Sequence, residues 1–187
     1  MTKSQQIVLS EKMKMIKKTQ TGVGLVEVMV ALLLLGVAVL GFIALQVRAI
    51  SASEEAGQNV QAMNLARDLS ERMRMNRDGL SAYTAVSSPS TCNTQYCTPA
   101  KMAQYEYAQV EARAQAQGMR LNVLDCQGVN KTFKRKCIYV AWGKTEAKDA
   151  SQLSASSEAS AESTACTNGT SYEPSAQCVI MEVYNYE

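Results

Sequence analysis

Glu27 is the side chain whose type and position most invite a chemical reading. It closes the string Gly22-Val23-Gly24-Leu25-Val26-Glu27, and the residues that follow it, Val28 to Leu45, include no charged group. Upstream stand Lys12, Lys14, Lys17 and Lys18. An ionisable group at membrane depth costs about 3 kcal/mol even on lenient insertion scales, so a carboxylate just inside such a run marks a functional position. The second set is six cysteines, all downstream of the apolar run. Cys92 and Cys97 enclose four residues, Cys126 and Cys137 ten, and Cys166 and Cys178 eleven. Thiols in this number point to an oxidising compartment and to disulfides. Sequential pairing is the simplest of the fifteen connectivities that six cysteines allow, and spacing does not choose among them.

Other chemistries lose their residues. There is no histidine, which removes Ser-His-Asp triads, Cys-His dyads and histidine-based zinc sites. The cysteine spacings do not repeat the tight ligand pairs of structural zinc, and no Cys-x-x-Cys redox motif occurs. No phosphate-cradling glycine loop is present. Glu106, Glu111, Asp125 and Asp149 have no spacing that favours a glycosidase pair over solvated surface, and no calcium-loop pattern appears. No metal, cofactor or catalytic residue is expected. Lys131, Lys134, Arg135 and Lys136 form the one basic cluster of the domain and read as a solvated hairpin tip rather than a nucleic-acid footprint. Tyr105, Tyr107, Tyr139, Tyr172 and Tyr184 read as sheet and core residues rather than a sugar-stacking platform.

The elements that must position these residues follow from periodicity. Val23 to Leu45 is 23 residues, a helix of roughly 34 Å, long enough for a bilayer and too long for a signal-peptide core. Lysines before it, with Glu54 and Glu55 after it, orient the N-terminus inward and the domain outward. Small and apolar residues then recur at Ala49, Ala52, Ala56, Val60, Met63, Ala66, Leu69 and Met73, predicting an amphipathic continuation to about Asp78, capped at Gly79. Arg67–Glu71 and Asp68–Arg72 are spaced to pair along it. Gly36 and Gly41 fit either ordinary membrane-helix glycine or close helix–helix approach.

Ser81 to Thr98 reads as a loop, and Thr98-Pro99 as the start of a second helix over Lys101 to Gln117, ended by Gly118. Arg120 to Cys126, Cys137 to Trp142 and Gln177 to Tyr184 read as strands. Gly143 to Ala165, rich in serine and alanine, reads as an exposed loop. The 187 residues carry 19 basic and 17 acidic side chains. Five lysines and one glutamate lie before Val23, so the remainder is slightly acidic.

The Gly22–Glu27 junction resembles the processing site of type IV pilins and their relatives: a short basic leader, a glycine, then a hydrophobic helix with glutamate as its fifth residue. Leu25 and Val26 fit the third and fourth positions. Val23 replaces the usual phenylalanine, and Gly24 stands where threonine or serine is frequent. Within the family the chain is most similar to PilV-type minor pilins, on Leu25-Val26-Glu27-Val28-Met29-Val30-Ala31, Asn64-Leu65-Ala66-Arg67-Asp68-Leu69 and Arg72-Met73-Arg74. The resemblance implies an α+β, pilin-like fold, with a long N-terminal helix packed on a small antiparallel sheet in a disulfide-bonded head.

Its implied parts are a cleaved leader (1–22), a transmembrane half-helix (23–47), an amphipathic half-helix (48–78) and a cysteine-rich head (79–187). It further implies a prepilin peptidase that cuts after Gly22 and methylates Val23. A neighbouring subunit's Glu27 would neutralise the new amine in the filament; the plainer alternative is that Glu27 snorkels to water. Implied partners are other minor pilins, the major pilin and a tip adhesin, with residence in the inner membrane of a Gram-negative bacterium before assembly. The alternatives are a minor pseudopilin of type II secretion and a membrane-anchored periplasmic binding domain.

Overall fold

The structure, a computed structural model, describes residues 22–86, 91–128, 135–153 and 163–184. It begins with α1, Leu25–Met75, a helix of 51 residues. Glu27 sits in its first turn and Arg72 and Arg74 in its last, each on the side of the helix dipole that favours its charge. The chain divides into two compact units, Met1–Ile50 and Ser51–Glu187. In the first, every described residue is exposed.

In the second unit α1 buries Ala62, Leu65, Ala66, Leu69, Ser70 and Met73. The sequence stripe began earlier, yet Ala52 and Ala56 are exposed and Val60 is 62% exposed. Periodicity belongs to the helix alone, whereas burial needs a surface to cover it. In this unit the cover begins at Ala62. Asp68 pairs with Arg72 at 3.0 Å as expected, and also with Arg113. Glu71 pairs with Arg74 at 3.1 Å rather than with Arg67.

The helix also stops sooner than its periodicity suggests. A 3-10 segment, Arg77–Ala82, follows Met75. Gly79 is not a left-handed cap: the described glycines with positive φ are Gly118, Gly128, Gly143 and Gly169. Gly79 is buried, and a Cβ there would collide with the Pro99 carbonyl and the Asn76 side chain. Asn76 donates its amide to that same carbonyl at 2.8 Å. Close approach, not backbone handedness, requires glycine here.

The second helix, α2, spans Pro99–Ala116. Thr98 caps it, its hydroxyl accepting the Lys101 amide at 3.4 Å, and Pro99 opens it, as the sequence suggested. Gly118, φ 70°, lies just past its end. Its inner face is Ala103, Tyr107, Val110 and Ala114.

Among the described residues six strands follow: β1 Arg120–Asp125, β2 Lys136–Ala141, β3 Thr145–Asp149, β4 Thr164–Asn168, β5 Ser171–Tyr172 and β6 Cys178–Val183. A four-residue helix, α3, Ala150–Leu153, follows β3. One sheet has the order β1-β2-β6, antiparallel throughout. Its rows run Leu121–Val140–Val179 and Val123–Ile138–Met181 on one face, and Asn122–Tyr139–Ile180 on the other. The first face joins Leu65, Leu69, Met73, Tyr107 and Val110 in the main core. The second face packs Cys137, Tyr139 and Ala141 against Ala147 and Cys166 in a smaller core. The domain is therefore three layers, helices, sheet and second sheet, and the architecture is α+β and pilin-like.

The second sheet, order β3-β4-β5, corrects the reading of Gly143 to Ala165 as an exposed loop. Thr145, Ala147, Asp149 and Ala165 are buried, and β3 pairs with β4 in parallel. Serine and alanine content gave no strand signal because the segment is held by polar contacts and a small apolar layer. Residues 154–162 of that stretch lie outside the described residues, as do 87–90 of the Ser81–Thr98 loop and the leader up to residue 21.

Asp149, expected on solvated surface, is 3% exposed. It accepts the Ser151 amide at 3.1 Å, the Ser151 hydroxyl at 2.7 Å, the Thr167 hydroxyl at 3.0 Å and the Gly169 amide at 2.8 Å. One carboxylate thus ties β3, α3, β4 and the turn after β4. Burial raises its pKa, but these four donors outweigh burial and hold it below the ordinary 3.8.

The cysteines pair sequentially, Cys92–Cys97, Cys126–Cys137 and Cys166–Cys178. The first closes the loop before α2, the second bridges the loop end of the β1–β2 hairpin, and the third joins β4 to β6 and so one sheet to the other. Of the basic cluster, Lys131 and Lys134 lie outside the described residues, Arg135 pairs with Glu182 at 3.1 Å and Lys136 with Asp125 at 2.6 Å. Tyr107 and Tyr139 are buried and Tyr172 stands in β5, as read, but Tyr172 and Tyr184 are 54% and 43% exposed and so neither is core.

Two substitutions test this packing. Asp149→Asn removes the charge that the four donors address and should destabilise by about 1–3 kcal/mol in urea unfolding at neutral pH. Because the folded pKa is lowered, the contribution of Asp149 is full above its unfolded value and lost as pH falls through the folded one. The gap between wild type and Asp149→Asn should therefore close below about pH 3.8. Gly79→Ala should cost about 1–3 kcal/mol through overpacking against Pro99, read as a lowered urea midpoint.

Candidate functional site

Gly22, Val23 and Gly24 have no regular structure and are exposed, with Val23 at 69%. Helical hydrogen bonding begins one residue later, where the Gly24 carbonyl accepts the amides of Glu27 at 3.0 Å and Val28 at 3.3 Å. The Gly22–Val23 peptide bond therefore lies outside the helix, on exposed chain. Neither glycine has any atom within 4 Å of where a Cβ would stand.

Glu27 lies in the first turn, with its side chain exposed. Among the described residues its carboxylate has no hydrogen bond and no ion pair. The helix beyond it carries apolar side chains on every face: Val28 at 46% exposed, Leu33 at 65%, Leu40 at 69% and Leu45 at 71%. The helix is long and apolar enough to cross a membrane, and none of its most apolar window is buried within the chain. Helical hydrogen bonds satisfy the backbone internally, the condition for entering hydrocarbon. Arg48 is the first charge after Glu27 and marks the end of the run. A Cβ added at Gly36 or Gly41 would meet nothing within 4 Å among the described residues beyond the helix's own backbone.

The head offers no comparable constellation. The carboxylates weighed for catalysis are dispersed: Glu106 accepts the Tyr83 hydroxyl, Asp125 faces Lys136, and Asp149 is enclosed by its donors. Glu111 is pushed up by burial. Among the described residues no three His, Cys, Asp or Glu side chains group to hold a metal. Sequence reasoning missed Tyr83, 1% exposed, whose phenol burial and then Glu106 push up well above its ordinary value. Its partner is 23 residues away, so no local pattern announces it. The same is true of Arg113, which reaches from α2 to Asp68 on α1.

The site thus consists of an accessible peptide bond, one carboxylate and a membrane-length apolar helix. Such a set can anchor, be cut and assemble. The family model Tt1218-like, described as type IV pilin Tt1218, matches residues 44–108. That stretch takes in the last part of the apolar segment, the partly buried half of α1, the 3-10 segment, the Cys92–Cys97 loop and α2 as far as Ala108. The junction at Gly22–Glu27 lies outside the match and rests on separate residues. No curated protein and no solved structure matches the chain significantly. The family match over residues 44–108, the apolar helix and the disulfide-bonded α+β head agree in supporting a type IV pilin-like protein.

Proposed function

We propose that this chain is a minor pilin of the PilV type. A prepilin peptidase cuts after Gly22 and methylates Val23. The helix from Val23 holds the protein in the inner membrane of a Gram-negative bacterium with its head in the periplasm. It then enters a type IV pilus beside other minor pilins and the major pilin, where it helps start assembly or present a tip adhesin. The observation that carries this reading is Glu27, a lone carboxylate at the head of a charge-free helix, with no partner among the described residues.

The mechanism follows from charge. Cleavage creates an α-amino group on Val23, at the positive end of the helix dipole. In a bundle of such helices one subunit's Glu27 meets the amine of the next. Each charge alone is costly in hydrocarbon, and the pair largely offsets that cost. The precursor has no amine there, so processing licenses assembly.

The intact mass and N-terminal residue of the protein, taken from membranes with and without a prepilin peptidase, test the first step. The expected result is a start at Val23, heavier by one methyl group, only when the peptidase is present. A retained leader in both cells, or a cut beyond Leu45, removes the reading. Glu27→Ala should lower recovery in sheared filaments by on the order of tenfold or more, equivalent to at least about 1.4 kcal/mol, while membrane levels stay unchanged. Wild-type recovery would reduce the helix to a tether. Co-purification with a secretion complex instead of filaments would assign the protein to type II secretion.

A further inference from the structure

We infer that a dithiol oxidase completes this head by joining neighbouring cysteines in order, and that no disulfide isomerase is needed. The inference rests on the export of the head proposed above. Each disulfide links cysteines consecutive in sequence, at separations of 5, 11 and 12 residues, and no cysteine is free. Between pairs the gaps are wider: Cys97 to Cys126 and Cys137 to Cys166 are each 29 residues.

The chance that a flexible chain closes a loop falls as about the 3/2 power of its length. An 11- or 12-residue loop therefore closes roughly fourfold more often than one of 29 residues, and the five-residue loop more often still. For every cysteine, the native partner is the one a disordered chain meets most. Export from the N-terminus also presents the pairs in native order, Cys92 with Cys97 first. The tertiary structure requires nothing else. The bridge that ties the two sheets, Cys166–Cys178, spans only the β4–β5 hairpin and its return, so it too can close locally.

In each closure a cysteine thiolate attacks the oxidant's disulfide and forms a mixed disulfide. The second cysteine of the pair then displaces the oxidant as a dithiol. Two electrons and two protons pass from the pair to the oxidant, so three closures consume three oxidant disulfides. An isomerase acts only on wrong pairs, and here they are the long loops.

The test uses the full chain. Reduced protein in detergent and urea is oxidised with glutathione disulfide, trapped by alkylation and mapped by peptide mass. The three consecutive pairs should dominate the fifteen connectivities. In cells lacking a disulfide isomerase the map should be unchanged, and in cells lacking the dithiol oxidase all six cysteines should become alkylatable. Pairings spread evenly in urea, scrambled pairs without the isomerase, or full oxidation without the oxidase would each overturn the inference. Scrambling in protein that still begins at Val23 would spare the pilin reading, and native pairs on a retained leader would do the reverse.

Discussion

A strand between two cores must present an apolar side chain to each face in turn, and β2 is that strand. From Cys137 to Ala141 every residue is buried. Ile138 and Val140 face the helices, while Cys137, Tyr139 and Ala141 face the second sheet. The pleat's period of two makes this division automatic, and a slip of one residue would exchange the two sets. β1 and β6 are aligned to β2 in the same register, so their faces follow from its own. The inner faces of α1 and α2 then pack on a surface already decided. This dependence explains why α1 is covered only where the sheet and α2 can meet it.

Two carboxylates show how one residue type serves opposite ends. Asp149 is buried and receives four donors from its own chain. Its charge is a fastener between strands that share little apolar surface. Glu27 is exposed at the start of an apolar helix and receives none from the described residues. A charge so placed is complete only in water or beside another molecule's cation. The first residue is understood within the fold; the second has no partner there among the described residues.

The residues that point to the pilin class fall in two separate stretches of the chain. The family match begins at residue 44, after most of the apolar segment, and rests on the helical stretch and the loop that precedes and enters α2. The junction that resembles a pilin processing site ends at Glu27. Two stretches that do not overlap therefore lead to one class, and the disulfide-bonded head is consistent with both.

The sequence by itself determined the local elements. Apolar periodicity announced α1, Thr98-Pro99 placed the start of α2, and β-branched and aromatic runs placed β1, β2 and β6. Its residues also marked Gly22, Val23 and Glu27 as the candidate site, because that site is contiguous and needs no folding to be read. Tertiary structure decided what depends on distant partners. It ended α1 at Met75, because Gly79 must admit the Pro99 carbonyl. It buried Asp149 through donors from Thr167 and Gly169, built a second sheet from a serine- and alanine-rich segment, and left Tyr172 and Tyr184 exposed. Composition and periodicity record what a segment prefers alone. Burial, and with it the role of a polar side chain, is set by whatever the rest of the chain brings against it.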